Sequence, residues 1–565
     1  MILYYSTFKR TLIFSILIFF AIANTSQAQF IWAFNDGGNS SPDANISFVR
    51  DSQNKLLICG DFTGTQSFGT NTFVADGFQD MFIAKYDSSG ASCNWAIKGG
   101  GQFNSSTASA IAVDNNNDVY VFGIFTYQFN LGTFNLTTNG GSDIYIAKID
   151  GTNGTVIWLN KVGSTNNEDV FAVLARNNNT EFYFTGSFIG SLPFGSLSAN
   201  ASTSNSQAGF ITKMDKSGNF SLVKSITTNN DVRLLSIKSD NNSNFIYTSG
   251  SFAGNTNFGG SALVSANTFN DAFVAKYDNN LNLQFAAKGG GAGNDIALDV
   301  SNDANDNVYF TGYFYGSALF GSTNLTELGM GGAGEMYIAK LNSAGVYQWA
   351  KKGGSSSYDA GNAISCDQNG ACFVTGVFNG SAANFGLGNM ANTGGTGTND
   401  MFLVKYNTNN TTLISQKAGS VNIDKSYQVE LLPQGYCIMA GYHTQTANFG
   451  TYQTTSNIGT WKFFIAKYSG GSVGIDEAFA SEVNLNVSPN PLKDQGTLTF
   501  ESKNTDHYTL QVFSTEGKLC LEKSFNANIG TNLVNLNLSH LSRGIYHTVL
   551  QNNKRKASIS IIKGE

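Results

Sequence analysis

The sequence has few residues of the kinds on which most enzyme active sites depend. Only four histidines are present, and three of them belong to the C-terminal region, which leaves His443 alone in the rest of the chain. Histidine is the usual general base and a common metal ligand. The sequence also has no HExxH or GxSxG motif, no phosphate-binding glycine loop and no Cys/His pair at ligand spacing. We therefore predict no catalytic, metal or cofactor site, and we expect His443 to be a structural or surface residue.

Charged residues and prolines are also scarce. Charged residues make up 13% of the chain, there are 5 prolines, and the formal net charge is −6. This charge gives no long-range attraction to nucleic acid or to an anionic membrane, so a nucleic-acid partner is not expected. With 13% aromatic residues and 62 glycines, the composition is not that of a disordered chain. It predicts an all-β protein of many short strands joined by tight turns.

Apolar runs are short, and the main one lies at the N-terminus. Lys9 and Arg10 precede the apolar run Leu12–Ala23, and the small residues of Ser26–Ala28 follow. This order is typical of a signal peptide, which we assign to residues 1–28. The run is shorter than the roughly 20 residues of a transmembrane helix. We expect a mature chain that starts at Gln29 and has no transmembrane segment after signal cleavage.

The six cysteines form no CxxC pair of the metal-binding kind. Cys366 and Cys372 flank the turn Asp367–Gly370, where other repeats carry apolar cross-strand neighbours. Two interpretations stay open: a disulfide formed after export, or two small buried apolar side chains.

An eight-residue pattern, DMFIAKYD at residues 80–87, occurs in seven versions along the chain at a spacing of about 64 residues. Each period reads as four strands, which in the second period we place at Thr107–Asp114, Asp118–Phe125, Asp143–Asp150 and Thr155–Lys161. Four strands in so long a period favour propeller blades over solenoid coils. The repeated lysines are Lys85, Lys148, Lys213, Lys276, Lys340, Lys405 and Lys467. A glycine in the second strand keeps the same spacing, at Gly60, Gly123, Gly186, Gly250, Gly312, Gly376 and Gly441.

The fourth strand of the last period is missing, and the N-terminus supplies it. An aromatic residue followed by Lys-Gly-Gly, as in Trp95–Gly100, marks the fourth strand of the earlier periods, but no such strand follows Lys467. A matching segment, Trp32–Gly38, stands at the other end of the chain. We therefore predict a seven-bladed β-propeller of four-stranded blades over residues 29–469, with the N-terminal strand closing the last blade and removing its open edge.

These repeats resemble the bacterial SBBP-type β-propeller repeat family. The resemblance covers roughly residues 30–469 and is carried by AIAVDNNNDVYVFGIF (110–125), NVYFTGYFYGSALFG (307–321) and FVTGVFNGSAANFG (373–386). It implies a propeller and no particular reaction. Ala208 and Lys462 depart from the pattern, because the other periods have an acid there.

After a linker at residues 470–483, residues 484–565 read as a small Ig-like β-sandwich of short alternating strands. This segment resembles the type A C-terminal sorting domain of the type IX secretion system. The resemblance implies export through that machinery, which would be a partner, and release outside the cell or attachment to its surface. The motif residues that match are Pro489, Asn490, Pro491, Gly517, Lys518, Leu541, Gly544, Tyr546 and Lys563.

Polar residues that repeat from period to period are predicted to stabilise the fold and not to form a binding site. The acids that open the third strands should accept hydrogen bonds from the backbone of their own loops, and the repeated lysines should pack their stems between blades with the ammonium groups pointing outward. The acids are Asp80, Asp143, Asp271, Glu335 and Asp400. Two turns, at Asp114, Asn116 and Asp118 and at Asp303, Asn305 and Asn307, resemble calcium loops but lack the glycine and distal glutamate. We favour turn formation there, with calcium as the alternative.

Function is expected on one face of the propeller. The long connections between second and third strands, such as Thr63–Gln79, emerge together with the links between blades. We predict a secreted or surface-displayed binding or scaffold protein, an adhesin or glycan-binding propeller, whose glycan or protein ligand is unknown. The alternative is a polysaccharide-active or other hydrolytic enzyme that uses non-repeated acids on this face. The repeated aromatic residues of the loops are expected to pack the loops: Phe68, Phe194, Phe258, Phe320, Phe385 and Phe449.

Overall fold

The computed structural model describes residues 29–36, 46–90, 92–176, 179–240, 242–329, 332–395, 397–432, 435–457, 460–469, 483–514, 519–552 and 556–564. The predicted signal peptide (1–28), most of the linker (470–482), Gly37-Gly38 and Gly517-Lys518 lie outside the described residues. Across the described segments the named elements are all strands. None of these segments forms a helix long and apolar enough to cross a membrane.

The strands of the N-terminal part, through the third repeat, are β1 (Gln29–Asp36), β2 (Ile46–Arg50), β3 (Leu56–Phe62), β4 (Thr65–Phe68), β5 (Asn71–Val74), β6 (Asp80–Tyr86), β7 (Cys93–Gly100), β8 (Ser106–Val113), β9 (Val119–Leu131), β10 (Phe134–Ile149), β11 (Val156–Val162), β12 (Glu168–Arg176), β13 (Glu181–Ile189), β14 (Ser191–Phe194), β15 (Leu197–Asn200), β16 (Gln207–Asp215) and β17 (Phe220–Thr228).

The strands of the remaining repeats are β18 (Val232–Ser239), β19 (Phe245–Phe252), β20 (Asn255–Asn257), β21 (Ala262–Val264), β22 (Asp271–Asp278), β23 (Leu283–Gly291), β24 (Ile296–Asn302), β25 (Val308–Phe314), β26 (Ser317–Phe320), β27 (Thr323–Thr326), β28 (Glu335–Leu341), β29 (Tyr347–Gly353), β30 (Asp359–Cys366), β31 (Cys372–Phe378), β32 (Ala383–Asn384), β33 (Asn389–Met390), β34 (Asp400–Tyr406), β35 (Thr412–Ala418), β36 (Lys425–Leu431), β37 (Tyr436–Thr444), β38 (Thr446–Phe449), β39 (Tyr452–Thr455) and β40 (Trp461–Ser469).

In the described residues these strands pair into sets of four neighbouring antiparallel strands, which we call units 1 to 7. They are β2-β3-β6-β7, β8-β9-β10-β11, β12-β13-β16-β17, β18-β19-β22-β23, β24-β25-β28-β29, β30-β31-β34-β35 and β36-β37-β40-β1. The first strand of each unit contacts the first strand of the next unit, and β36 of unit 7 contacts β2 of unit 1.

The sheets of neighbouring units pack face to face over apolar side chains. Tyr120 and Phe122 of unit 2, for example, share a core cluster with Phe182 and Phe184 of unit 3. A cluster of the same kind joins unit 1 to unit 7 through Phe48 and other apolar residues. Strands covered on both faces need apolar residues at successive positions, which explains the nearly continuous apolar runs of the second and third strands.

The N-terminal strand β1 completes unit 7. It pairs antiparallel with β40, and the register places Ala33 opposite Ala466 and Asp36 opposite Phe463. Phe30 is buried and makes edge-to-face ring contacts with Phe449 and Tyr468, at 5.4 and 5.0 Å between ring centroids. Such pairs contribute about 0.5–1.5 kcal/mol beyond the apolar area that they bury.

Two features of the repeats differ from the sequence prediction. The connections between second and third strands are not simple loops, because most contain a short two-stranded hairpin such as β14–β15. In unit 2 the long strands β9 and β10 form this hairpin themselves. The ammonium groups of the repeated lysines do not all point outward, because Lys85, Lys276 and Lys405 are buried. Burial of Lys85 is compensated by an ion pair with Asp51 at 2.8 Å.

The C-terminal part forms a separate β-structure of two sheets. Its strands are β41 (Asn486–Ser488), β42 (Gln495–Ser502), β43 (Asp506–Ser514), β44 (Leu519–Ala527), β45 (Gly530–Asn537), β46 (Gly544–Gln551) and β47 (Lys556–Lys563). One sheet has the order β41-β42-β45 and the other β44-β43-β46-β47. Leu498 and Val534 of the first sheet share one core cluster with Leu510 and Leu550 of the second.

Candidate functional site

The links between units and the second-to-third connections meet at one end of the strands, which we call the long-loop face. In unit 1 the fourth strand ends with Gly99 and Gly100, and these two residues pair with Leu131 and Asn130 of the extension in unit 2. A Cβ on Gly99 would lie 2.9 Å from the ring of Phe129. The Lys-Gly-Gly pattern therefore exists because the hairpin of the next unit approaches the backbone closely.

The repeated loop aromatics serve this packing. Phe68, Phe194, Phe258, Phe320, Phe385 and Phe449 are all buried. A Cβ on Gly289 would lie 2.3 Å from the ring of Phe320, and one on Gly353 would lie 2.8 Å from the ring of Phe385. The prediction that these rings pack the loops is confirmed, and they offer no surface to a ligand.

The acids that open the third strands hold their own loops, as predicted. Asp80 accepts the backbone N–H of Asp76 at 2.9 Å, and its carboxylate lies 3.5 Å from Lys98 Nζ of the Lys-Gly-Gly strand. The same two contacts recur in units 2, 4, 5 and 6. The other carboxylate oxygen of each acid is buried without a hydrogen-bond partner.

In four units this second oxygen faces another carboxyl group, from the start of the next first strand. At the junction of units 4 and 5, a Cβ on Gly290 would lie 2.5 Å from Asp271 Oδ1 and 2.9 Å from Asp295 Oδ2. Burial, reinforced by the neighbouring negative charge, raises the pKa of the first-strand acid to about 7. The four pairs are Asp143 with Glu168, Asp271 with Asp295, Glu335 with Asp359 and Asp400 with Asp424.

One register position near the start of the first strand differs in each of units 2 to 7, and in units 3, 5, 6 and 7 it follows the first-strand acid. In pairing register it is occupied by Thr107, Asp169, Arg233, Ile296, Ala360 and Lys425 of units 2 to 7. Each of these residues starts or nearly starts a first strand at the long-loop face. Repeats that agree elsewhere have diverged here, which is typical of a recognition surface held on a rigid frame.

Around this position lies a group of polar and aromatic side chains that we call the first-strand cluster: Asp169, Arg233, Tyr313, Tyr358 and Tyr427. Arg233 is half-exposed, and its Nε lies 3.6 Å from Asp231 Oδ2. Ser187 donates to Asp169 at 3.4 Å and in turn accepts from Gln207 at 2.8 Å.

The tyrosines of the first-strand cluster take part in two groups of aromatic contacts. The ring centroids of Tyr313 and Tyr358 are 5.8 Å apart, and Tyr313 also contacts Tyr315 at 5.7 Å. Tyr427 packs against Tyr442 at 6.4 Å. All three tyrosines of the cluster are partly exposed, so their rings and hydroxyl groups are available for stacking and hydrogen bonding.

Burial and the charge of Arg233 act in opposite directions on two carboxyl groups of this region, those of Asp169 and Asp231. Burial raises the pKa of Asp169, while the positive charge of Arg233 and the hydrogen bond from Ser187 lower it. Burial also raises the pKa of Asp231, again opposed by Arg233. The guanidinium of Arg233 thus influences both carboxyl groups, and it is placed to take part in ligand recognition.

His443 is a buried structural residue. It is fully buried, its Nε2 lies 3.1 Å from the side-chain amide of Asn35 on β1, and burial lowers its pKa to about 4. The imidazole therefore helps to attach the N-terminal strand. The sequence interpretation of His443 as structural agrees with this position.

The turns that resemble calcium loops use their oxygens locally. Asp114 Oδ1 accepts the backbone N–H groups of Asn116 and Asp118 at 2.8 and 2.9 Å. Asp303 makes the same two bonds to Asn305 and Asn307. Among the described residues no group of three or more His, Cys, Asp or Glu side chains is arranged to hold a metal ion. Turn formation accounts for both motifs.

Cys366 and Cys372 face each other across β30 and β31 and are joined by a disulfide. Cys59 and Cys437 are free, fully buried thiols whose pKa burial raises. A buried thiol with a raised pKa is a poor nucleophile.

In the C-terminal part the motif residues meet at the last strand. The side chain of Asn490 donates to the carbonyl of Ser560 at 3.0 Å and accepts the backbone N–H of Ile562 at 2.9 Å. Lys563 donates to Asp494 at 2.7 Å. The Pro-Asn-Pro turn at residues 489–491 is thus bonded to the strand that carries the terminal lysine.

The remaining motif residues serve the interior of the same domain. Leu541 packs on the core cluster, and the hydroxyl of Tyr546 donates to the carbonyl of Ser542 at 2.8 Å. Gly544 begins β46 with a φ of 156°. Gly517 and Lys518 lie outside the described residues.

Comparisons with known proteins give weak similarities for the repeats. A WD repeat-containing protein of Acanthamoeba polyphaga mimivirus, described as uncharacterized, is 23% identical over 200 residues, which is 32% of this chain and 14% of that protein. The chain thus spans only 14% of the length of the curated relative it matches.

Two solved structures are similar to the chain, both with low TM-scores. A Synechocystis apocarotenoid oxygenase variant has 8% identity, covers 71% of this chain and 88% of its own, and gives a TM-score of 0.36. A glycoside hydrolase family 32 structure from Bifidobacterium adolescentis has 11% identity over 95% of this chain and 78% of its own, with a TM-score of 0.24. TM-scores this low do not establish a shared fold or activity.

The C-terminal part, in contrast, matches a family model. Residues 486–564 match the family described as "Secretion system C-terminal sorting domain". The match covers β41 to β47 and all of the motif residues named from the sequence. The chain therefore carries a type IX secretion sorting domain, which indicates a partnership with that secretion machinery and a location outside the cell or on its outer surface.

Proposed function

We propose that the chain is an exported seven-bladed β-propeller that binds an extracellular glycan or protein on its long-loop face. In this proposal the propeller extends over residues 29–469, residues 470–483 link it to the sorting domain, and residues 484–565 form an Ig-like sandwich that delivers the propeller and takes no part in binding. A disulfide between Cys366 and Cys372 forms after export.

The closed ring is supported by the contacts of the first strands. They touch in order from β2 to β36, and β36 touches β2 again. The edge that would remain in unit 7 is occupied by β1, which pairs with β40 over most of its length. A four-stranded unit completed by the other end of the chain is what joins a circular array without an exposed edge.

The binding role depends on one observation above all. The variable register position near the start of the first strand carries a different residue in each described unit from 2 to 7, whereas the third-strand acids, the lysines and the glycines repeat in most units. A pure scaffold needs no such divergence. Partly exposed tyrosines and the guanidinium of Arg233 supply stacking faces and hydrogen-bond donors there.

A hydrolytic site is less well supported. Glycoside hydrolysis uses two carboxyl groups on opposite sides of a bond, one as acid and the other as base or nucleophile. The candidate carboxylates are Asp169 of the first-strand cluster and Asp231 beside it, and the charge of Arg233 partly compensates both. This arrangement holds a side chain in place for recognition.

The proposal is tested with the purified exported chain on glycan and extracellular-protein arrays. We expect binding to one ligand class that is lost in Arg233→Gln and kept in Lys238→Gln, because Lys238 is an exposed cation on the same strand β18 but near its opposite end. Equal binding by the two variants, or no binding on either array, would contradict the proposed site. Release of new reducing ends from a bound glycan, abolished by Asp169→Asn, would establish the hydrolase instead.

A further inference from the structure

Three aromatic side chains stand unusually far out of the long-loop face at the junction of units 1 and 2. Phe78 is 73% exposed, Phe103 79% and Tyr127 70%. The next most exposed ring in the described residues is Phe269, at 51%. Large apolar side chains exposed as a group mark a site of interaction more often than an accident of packing.

Backbone hydrogen bonds hold the three residues side by side. The N–H of Phe78 donates to the carbonyl of Asn104, and the N–H of Thr126 donates to the carbonyl of Ser105, at 2.8 and 3.1 Å. The side-chain amide of Asn104 donates to the carbonyl of Gln128. Segment 103–105 therefore lies between the segments that carry Phe78 and Tyr127, so the three exposed residues are neighbours on one surface, and we call them the aromatic triad.

Tyr127 occupies a backbone position that other units give to glycine. The residue two places after the aromatic end of the second strand is Gly64, Gly190, Gly254 or Gly316 in units 1, 3, 4 and 5, each with a φ between 63° and 76°. Tyr127 adopts the same left-handed conformation, with a φ of 59°. A residue with a Cβ is disfavoured there.

The geometry of this position leaves room for a side chain in unit 5 but not in unit 4, where a Cβ on Gly254 would lie 2.2 Å from Asn229 Oδ1. A Cβ added to Gly316 would meet no atom within 4 Å. Phe103 also has a positive φ, of 60°, and it belongs to a link that is one residue longer than the others, since six positions separate Gly100 from Ser106 and five separate Gly163 from Glu168. Two aromatic residues that are mostly exposed and adopt a strained backbone conformation indicate a role other than stabilising the fold.

The surroundings of the triad indicate what it contacts. Its neighbours Gln102, Ser105, Thr126 and Gln128 are neutral amides and hydroxyls, all at least partly exposed. The nearby charges are paired with each other, Lys98 with Asp76 at 2.6 Å. Rings flanked by neutral hydrogen-bonding groups match a sugar, which presents apolar C–H faces and hydroxyl groups together.

We propose that the aromatic triad is a carbohydrate-binding platform for β-linked, gluco-configured polysaccharides. This inference rests on the proposed binding role and adds a second site, separate from the first-strand cluster. A membrane surface is disfavoured, because unpaired lysine or arginine side chains should then surround the rings. A stable protein partner would require about 800 Å² on each side, more than three rings supply.

The test is affinity electrophoresis of the exported chain in native gels that contain hydroxyethylcellulose, xyloglucan or laminarin. We expect retardation in at least one gel and a dissociation constant raised about tenfold or more by the combined change Phe78→Ala, Phe103→Ala and Tyr127→Gly. Two matched controls should keep the retardation. Phe269→Ala removes the ring at the equivalent position of unit 4, and Gln445→Gly makes the same backbone change as Tyr127→Gly in unit 7, where φ is 54°.

The outcomes separate this proposal from the proposed function. No retardation in any of the three gels, or equal retardation of the triple variant, overturns the platform. Retardation abolished by Arg233→Gln but kept by the triple variant places the glycan in the first-strand cluster, so the binding role stands and the platform fails. Binding to phosphatidylcholine–phosphatidylglycerol vesicles that depends on the triad, without retardation in the gels, identifies a membrane surface and also overturns it. A melting temperature measured for each variant shows that the fold is retained.

Discussion

Replacing Asp271 with asparagine should stabilise the fold at pH 8 and change it little at pH 5. In the folded chain Asp271 Oδ2 accepts the N–H of Ala266 at 2.9 Å and lies 3.4 Å from Lys288 Nζ. Its Oδ1 is buried without a hydrogen-bond partner and faces Asp295. Burial and the charge of Asp271 raise the pKa of Asp295 from 3.8 to about 7. The pair therefore holds a proton at pH 5 and loses it at pH 8.

Asparagine can accept the hydrogen bond from Ala266 and can also donate one to Asp295. Its oxygen retains the bond from Ala266, and its NH₂ group turns toward Asp295 and donates to it. The change removes one of two like charges and satisfies a buried polar group, whose lack of a partner costs about 1–3 kcal/mol. We expect the free energy of unfolding at pH 8 to rise by about 1–3 kcal/mol. At pH 5 Asp295 is already protonated and places no negative charge beside Asp271, so the gain should be small.

The unmodified chain should lose stability as the pH rises from about 4 to about 7. Because the pKa of Asp295 is higher in the folded chain than its ordinary value of 3.8, the folded state binds the proton more strongly between about pH 4 and pH 7. The contribution of this carboxyl is greatest below pH 4 and falls as the pH rises toward 7. The other first-strand acids with a pKa of about 7 add slopes of the same sign.

The assay is urea unfolding followed by tryptophan fluorescence at pH 5 and pH 8. Asp80→Asn is the matched control, because Asp80 has the same loop and lysine contacts but Ser106 stands where the other units have the second carboxyl. Its gain should depend less on pH. Destabilisation by Asp271→Asn at pH 8, or an equal effect at both pH values, would refute the explanation that protonation of Asp295 controls the effect.

Three further outcomes are expected. Lys85→Met should lower the free energy of unfolding by about 3–5 kcal/mol, since it leaves Asp51 buried without its counter-ion; a loss below about 1 kcal/mol in urea unfolding would contradict this. Replacing Cys366 and Cys372 with serine should cost about 2 kcal/mol, the value for a short closed loop, and a chain already insensitive to reductant would argue against the bond. Deleting residues 486–565 should keep the protein inside the cell envelope, which cell fractionation measures; unchanged export would contradict the sorting role.

The order of the strands could be predicted from the sequence because it depends on patterns that repeat. In unit 2 the predicted strand boundaries lie within two residues of the observed ones wherever a turn with Asn or Asp adjoins the strand. Examples are the end of β8 at Val113 and the start of β9 at Val119. The pairing of Trp32–Asp36 with the last unit followed from a missing strand and a matching segment. Hairpins inside the long connections were missed, because strands of two to four residues give too short an alternation to recognise.

The candidate site was harder to predict, because it consists of departures from the repeat. Asp169 and Arg233 occupy one variable register position, but aligning the periods on the first-strand acid does not show this, because Asp231 lies one residue before the position of Glu168. Aligning them on the glycine after the second strand would have shown Tyr127 in its place. The exposure of Phe103 could not be read from sequence, since it depends on how a link with one additional residue is folded against its neighbours.

Cross-linking the first and last strands tests the closed ring most directly. Ala33 and Ala466 are opposite each other in the register of β1 and β40, so the double variant Ala33→Cys, Ala466→Cys places two thiols at a distance that a disulfide can span. We expect oxidation to yield a cross-linked species that migrates faster than its reduced form on a denaturing gel. The control pair Ala33→Cys, Ala440→Cys, one strand farther away on β37, should not form it. If the engineered thiols of the Ala33/Ala466 variant stay free under the same oxidation, the N-terminal strand does not complete the last unit and the ring is open.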